Sequence, residues 1–193
     1  MYQSPDLSIW KGRTDPLDGE EGWRWHHVVK ALDLFGILPD VNGTGRQFAF
    51  LGFCCDEGVR RNQGRVGARE GPHSIRKNLR NLAVHFDSSR ISLYDAGNVI
   101  CTEDKMELAQ EMLGKKVTQL LQAGYKPIVL GGGHEVAFGH FQGIHSFISQ
   151  KNTNIGIINI DAHFDLRRSD RQGNSGTSFL QISELLKNAD QQF

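Results

Sequence analysis

The stretch NIGIINIDAHFD, Asn154 to Asp165, sets four isoleucines directly before a cluster of titratable side chains. Apolar residues at successive positions suit a strand buried on both faces, the signature of a parallel sheet covered by helices. Side chains alternate along an extended segment. Asp161, His163 and Asp165 are therefore expected on one face, with Ala162 and Phe164 on the other. Two carboxylates and an imidazole converging without a cation would repel one another and be costly to desolvate. A divalent metal turns that repulsion into binding energy.

The preceding strand signal, KPIVLGGGH, ends in His134, which can supply a further nitrogen. A lone histidine is more often packed or exposed than ligating, and an aspartate at a strand end often caps a helix. Taken singly, His134 fits the first of those readings, whereas Asp161, His163 and Asp165 together favour a metal. Carboxylate and imidazole ligation suits Mn²⁺ and also admits Zn²⁺ or Fe²⁺. With no cysteine in the set, a structural zinc site is not expected. GGGHE lacks the Lys-Ser/Thr of a P-loop, so its glycines are read as a tight turn that brings His134 to the cluster.

Outward from these motifs, strand and helix signals alternate. QFAFLGF (Gln47–Phe53) and ISLYDAG (Ile91–Gly97) read as strands. An amphipathic helix is expected from Trp25 to Leu34, stopped by Gly36 and Pro39, with GTGR as a linker after it. Asp56 to Pro72 reads as a Gly- and Arg-rich loop, and Pro72 as the opening of the helix HSIRKNLRNL. Thr102 is expected to cap a long helix carrying Met106, Ala109, Leu113, Val117, Leu120 and Leu121, with Gly124 at its stop. EVAFGHFQGIHSFISQ and SFLQISELLKNA supply the last two helices. The alternation predicts an α/β fold, a three-layer α-β-α sandwich around a mainly parallel sheet. In such sheets the ligand site lies beyond the carboxyl ends of the strands, where GGGHE and DAHFD both fall.

The bulk properties agree with one soluble domain. The chain has 193 residues, with 22 basic against 22 acidic, so no global field draws it to nucleic acid. No stretch is long and apolar enough to span a membrane, and no signal-peptide core is present. Cys54, Cys55 and Cys101 form no C-x-x-C pair, which fits a reduced cytoplasmic protein.

GGGHE followed by DAHFD resembles the first two metal-binding signatures of the ureohydrolase superfamily, that of arginase and agmatinase. The stretches WKGRTDP, RWHHVV and DEGVRRNQGRVGAREGPHSIR look most like its formimidoylglutamase branch. The resemblance implies an arginase-like fold over residues 1–193, with 1–46 as an N-terminal extension packing on it. It implies two Mn²⁺ per complete site and a hydroxide shared between them as nucleophile. His134, Asp161 and Asp165 would bind one ion and His163 the second, with Asp161 bridging. The implied substrate is formimidoylglutamate, a small anion, hydrolysed to glutamate and formamide. A homo-oligomer is a further implication.

Two positions narrow the branch. Where related agmatinases carry a histidine, SGTSF places Ser175, which cannot shuttle protons near neutral pH as histidine can. Arg167 suits an anionic substrate through a bidentate carboxylate pair, although beside Arg168 it equally fits a solvated surface residue. Arg61 and Asn62, in the Arg60–Arg61–Asn62 stretch, are further candidates for binding anion, while loop arginines are more often simply exposed. The family's third signature, a D-x-D in a C-terminal motif, has no counterpart here. The resemblance therefore implies the N-terminal portion of the fold with its metal site incomplete. The alternatives are another amidinohydrolase, or an inactive fragment that acts only through subunit association.

Overall fold

The run RQFAFLGFC forms the spine of the sheet, because its alternate side chains can be buried on two faces at once. The structure is a computed structural model and describes residues 1–15, 17, 19–39, 41, 45–149, 151, 153–168 and 172–190. Five strands are present among them: β1 (Tyr2–Gln3), β2 (Val29–Ala31), β3 (Arg46–Cys54), β4 (Ile91–Ile100) and β5 (Lys126–Leu130). β3 pairs in parallel with β4 on one side and β5 on the other. β1 and β2 both join β4, β1 antiparallel and β2 parallel. The sheet is thus mainly parallel, in the order β1-β4-β3-β5 with β2 beside β4.

Six α-helices accompany it among the described residues: α1 (Trp25–Val28), α2 (Glu57–Arg61), α3 (Gly71–Leu79), α4 (Met106–Gln122), α5 (Val136–Ser149) and α6 (Ser178–Asp190). Ala49, Leu51 and Phe53 of β3 share one core with the α4 stripe of Met106, Ala109, Leu113, Val117 and Leu120. Phe50, with Phe48 beside it, belongs to a second core with Trp10, Trp25 and Leu79 of α3. Two cores on opposite faces give the expected α-β-α layering. Gly124 follows α4 with φ +87°, the left-handed stop that glycine adopts without strain. No helix among the described residues is long and apolar enough to cross a membrane.

A buried ion pair fastens the N-terminal segment to this frame. Arg76 of α3 donates to both carboxylate oxygens of Asp95 on β4, at 2.7 and 3.0 Å. Trp10 Nε1 donates to the same carboxylate at 2.6 Å.

Several elements differ from expectation. The Trp25–Leu34 helix is only the single turn α1, and the chain then enters β2, where Val29 and its neighbours gain ladder bonds along β4. The helix expected to be capped by Thr102 starts at Met106. Lys105 N donates to the Thr102 carbonyl, closing a turn ahead of it, and no side chain caps the helix. Part of the Asp56–Pro72 loop is helical, as α2. The GTGR linker lies partly outside the described residues.

The largest correction concerns Asn154–Asp165, which forms no strand. Among the described residues β5 pairs only with β3, and nothing pairs with the isoleucine run. Ile158 and Ile160 are 91% and 97% exposed. A central strand needs ladder partners and covering layers, and without them apolar composition alone does not impose one.

Candidate metal centre

His134 is placed by close backbone packing. Gly133 N donates to the Cys55 carbonyl at 2.9 Å, and a Cβ on Gly132 would lie 1.9 Å from that same oxygen. The glycines therefore serve by leaving room for the end of β3. That contact carries the chain off β5 and into the site.

There His134 Nδ1 lies 3.2 Å from Asp161 Oδ2 and in closer contact with Asp165 Oδ2. One ligand atom from each of the three residues falls within a 4.8 Å group. One imidazole nitrogen and two carboxylates at that spacing fit a divalent ion of the Mn²⁺ or Zn²⁺ type.

His163 stands apart. Its side chain is 69% exposed, and Nδ1 is 3.7 Å from Asp161 Oδ1. The expected common face depends on an extended backbone, which the chain does not keep. His163 N donates to Asp161 Oδ1 at 2.9 Å, a local turn. Asp165 then sits in the left-handed region at φ +46°, which aspartate tolerates better than most residues. The two aspartates consequently meet His134, while His163 stays at the rim of the group.

The first turn of α6 braces two of the three. Ser178 Oγ donates to the His134 carbonyl at 2.9 Å, and Phe179 N donates to the Asp165 carbonyl at 3.2 Å. The Phe179 ring meets the His134 imidazole edge-on at 5.9 Å. Ser178 is fully buried. Beside the site, Glu135 is also fully buried and accepts from Gly58 N at 3.1 Å. Burial pushes its carboxyl above the usual range. Neither supporting role is visible in the sequence, since serine at a helix start and a glutamate after a histidine are ordinary.

Three of the four expected substrate-binding residues come together. Arg167 Nη1 donates to Asn62 Oδ1 at 3.1 Å, and Asn62 Nδ2 donates to Ser175 Oγ at 3.1 Å. Backbone bonds hold the group: Arg167 N to the Gly176 carbonyl at 3.0 Å, and Ser175 N to the Gly58 carbonyl at 3.1 Å.

Arg61 does not join them. It lies on α2 rather than in a loop, and its Nε donates to Glu57 at 2.9 Å. Nη1 reaches Glu107 Oε1 and the Gly173 carbonyl, and Nη2 reaches Glu107 Oε2 and the Asp104 carbonyl. A guanidinium has five N–H donors, and all are engaged. No donor is left for a ligand, which corrects the expectation that Arg61 binds substrate. The Glu107 carboxylate raises the Arg61 pKa, while the Arg60 hydrogen bond lowers that of Glu57.

Residues 46–192 match the Arginase family. The chain belongs to that family. This arginase-family chain is 47% identical to the formimidoylglutamase of Geobacillus thermodenitrificans over 182 residues, covering 94% of the chain and 55% of the relative. It is 48% identical to the Chromobacterium violaceum formimidoylglutamase over 178 residues, covering 92% and 53%. The chain therefore spans about half the length of the curated relatives it matches. Among solved structures, a Trypanosoma cruzi formiminoglutamase with Mn²⁺ superposes with a TM-score of 0.61 at 36% identity, over 71% of this chain and 47% of that one. The Bacillus subtilis formimidoylglutamase superposes with a TM-score of 0.68 over 89% and 50%, and at 18% identity it supports the fold alone.

Proposed function

We propose that this chain contributes the substrate-facing half of a manganese-dependent formimidoylglutamase, which hydrolyses N-formimidoyl-L-glutamate to L-glutamate and formamide. The observation that carries the reading is one juxtaposition. The His134–Asp161–Asp165 group adjoins the Arg167–Asn62–Ser175 chain in sequence, with only Leu166 between Asp165 and Arg167. A metal held by that group would stand beside donors suited to a carboxylate.

His134, Asp161 and Asp165 would hold one Mn²⁺, and Asp161 together with His163 is available to a second. Bound manganese lowers the pKa of water enough to supply hydroxide near neutral pH. The protein's own part is to place the formimidoyl carbon. Arg167 spends one donor on Asn62 and keeps others for a substrate carboxylate, as bidentate recognition requires. Ser175 Oγ accepts from Asn62, so its own hydrogen is directed elsewhere and can serve the same carboxylate. Asn62 orients both. Guanidino substrates carry no second carboxylate and gain less from this arrangement. Three free cysteines fit a reducing, cytoplasmic setting.

The test is formamide release from N-formimidoyl-L-glutamate by the gene product at its native length, with Mn²⁺ added. Turnover of agmatine or 4-guanidinobutyrate in preference would overturn the substrate. Absence of any amidine hydrolysis would overturn the enzymatic reading.

A further inference from the structure

We propose that Arg61 is a positioning residue for the substrate's carboxylate end, acting through Asn62 and Ser175 without touching substrate. The inference rests on the functional reading above and gives a different part to a residue that its sequence context offered as a direct anion binder.

Arg61 links three segments that are distant in the chain. Nε holds Glu57 on its own helix α2, directly before Asn62. The Nη atoms hold Glu107 at the start of α4 and the Asp104 carbonyl ahead of it. Nη1 also holds the Gly173 carbonyl at 3.1 Å, two residues before Ser175. One guanidinium therefore clasps the segments that carry both ends of the Asn62–Ser175 bond. Arg167 reaches Asn62 in turn, so Arg61 adds a side-chain clasp to the backbone bonds by which the Gly58 and Gly176 carbonyls hold the three donors.

The metal group is fastened differently. His134 and Asp165 are braced from α6 by Ser178 and Phe179, and His134 is approached through Gly133 by Cys55. None of those contacts passes through Arg61. Loss of the clasp should shift Asn62 and Ser175 while leaving the metal ligands in place. The expected signature is a change in KM with kcat and metal content preserved.

Lysine cannot substitute. Its single nitrogen has three donors and no planar fork, so it cannot meet a bidentate carboxylate, a second carboxylate and two carbonyls together. The second variant is Glu107→Gln, on the far side of the clasp, which removes the charge and leaves Arg61 in place.

The experiment compares wild type, Arg61→Lys and Glu107→Gln as native-length protein. It measures steady-state kinetics on N-formimidoyl-L-glutamate, manganese content and backbone hydrogen exchange. KM is expected to rise about tenfold in Arg61→Lys and less in Glu107→Gln, with kcat within about twofold. Amide exchange at Ser175 and Gly176 is expected to quicken, with that of α6 unchanged. Unchanged KM in both variants would overturn the proposal, as would a loss of manganese that accounts for the kinetic change. If wild type does not turn over formimidoylglutamate, the functional reading fails. Exchange at Ser175 and Gly176 then decides the clasp alone, and no difference there sinks it. If Arg61→Lys does not fold, Glu107→Gln carries the same comparison.

Discussion

Arg167 and Asn62, 105 positions apart in the chain, meet in a 3.1 Å hydrogen bond beside the candidate metal group. The bond matters because it uses only part of each side chain. Arg167 keeps donors for a ligand, and Asn62 passes the alignment on to Ser175. An arginine held at one end is pre-organised, so less rotamer entropy is lost when it captures a carboxylate.

Removing that capture should weaken substrate binding selectively. Arg167→Lys keeps the charge but loses the fork, and KM for formimidoylglutamate is expected to rise about tenfold or more. Asn62→Ala should raise KM by a smaller factor, since it loosens Arg167 without removing it. Steady-state kinetics on both variants check the order.

The metal group makes a separate prediction. Asp165→Ala removes a candidate ligand whose side chain is only 10% exposed and in contact with His134, and Mn²⁺ affinity should fall more than about tenfold. His163→Ala removes a side chain at the rim, so the first equivalent of Mn²⁺ should bind nearly as in wild type. Calorimetric titration of this chain with MnCl₂ distinguishes the two, and equal losses would contradict the geometry.

Ser178→Ala should cost stability before it costs chemistry. The hydroxyl is buried and its bond to the His134 carbonyl is worth about 1 kcal/mol. Denaturant melts should show that loss, and Mn²⁺ affinity should fall modestly as His134 loosens. Gly132→Ala should be harsher, because the new Cβ would overlap the Cys55 carbonyl.

His140 predicts a pH dependence. Burial holds its pKa below the usual histidine range. The unfolded chain then takes up a proton more readily than the folded one, so stability is complete above about pH 6.5 and falls as pH drops below it. His140→Leu should reduce the difference in melting temperature between pH 7.5 and pH 5.5. An identical difference in both proteins would remove His140 as its source.

The layering and the residues that gather in the candidate metal group were legible in the sequence, because both rest on local pattern. The α4 stripe and the β3 run encode which faces are buried, and the buried faces fix the sandwich. His134, Asp161 and Asp165 were legible as residue types in a recognisable spacing. The conformation of residues 161–165 was not, since strand periodicity assumes ladder partners that lie elsewhere. The part played by Arg61 was equally hidden. Glu57 stands four residues before it on the same helix, but Glu107, Asp104 and Gly173 are remote in the chain and brought near only by folding. A surface arginine and a saturated clasp look alike in one dimension.

The exposed isoleucines carry a practical consequence. Ile158 and Ile160 stand in solvent, and β5 has a ladder partner on one side only among the described residues. An exposed apolar, β-branched segment and an unpaired strand edge are each adhesive toward extended backbone, including that of another copy. Two molecules meeting at high concentration can satisfy what one cannot. How crowded this polypeptide is therefore becomes one of the variables expected to set its state.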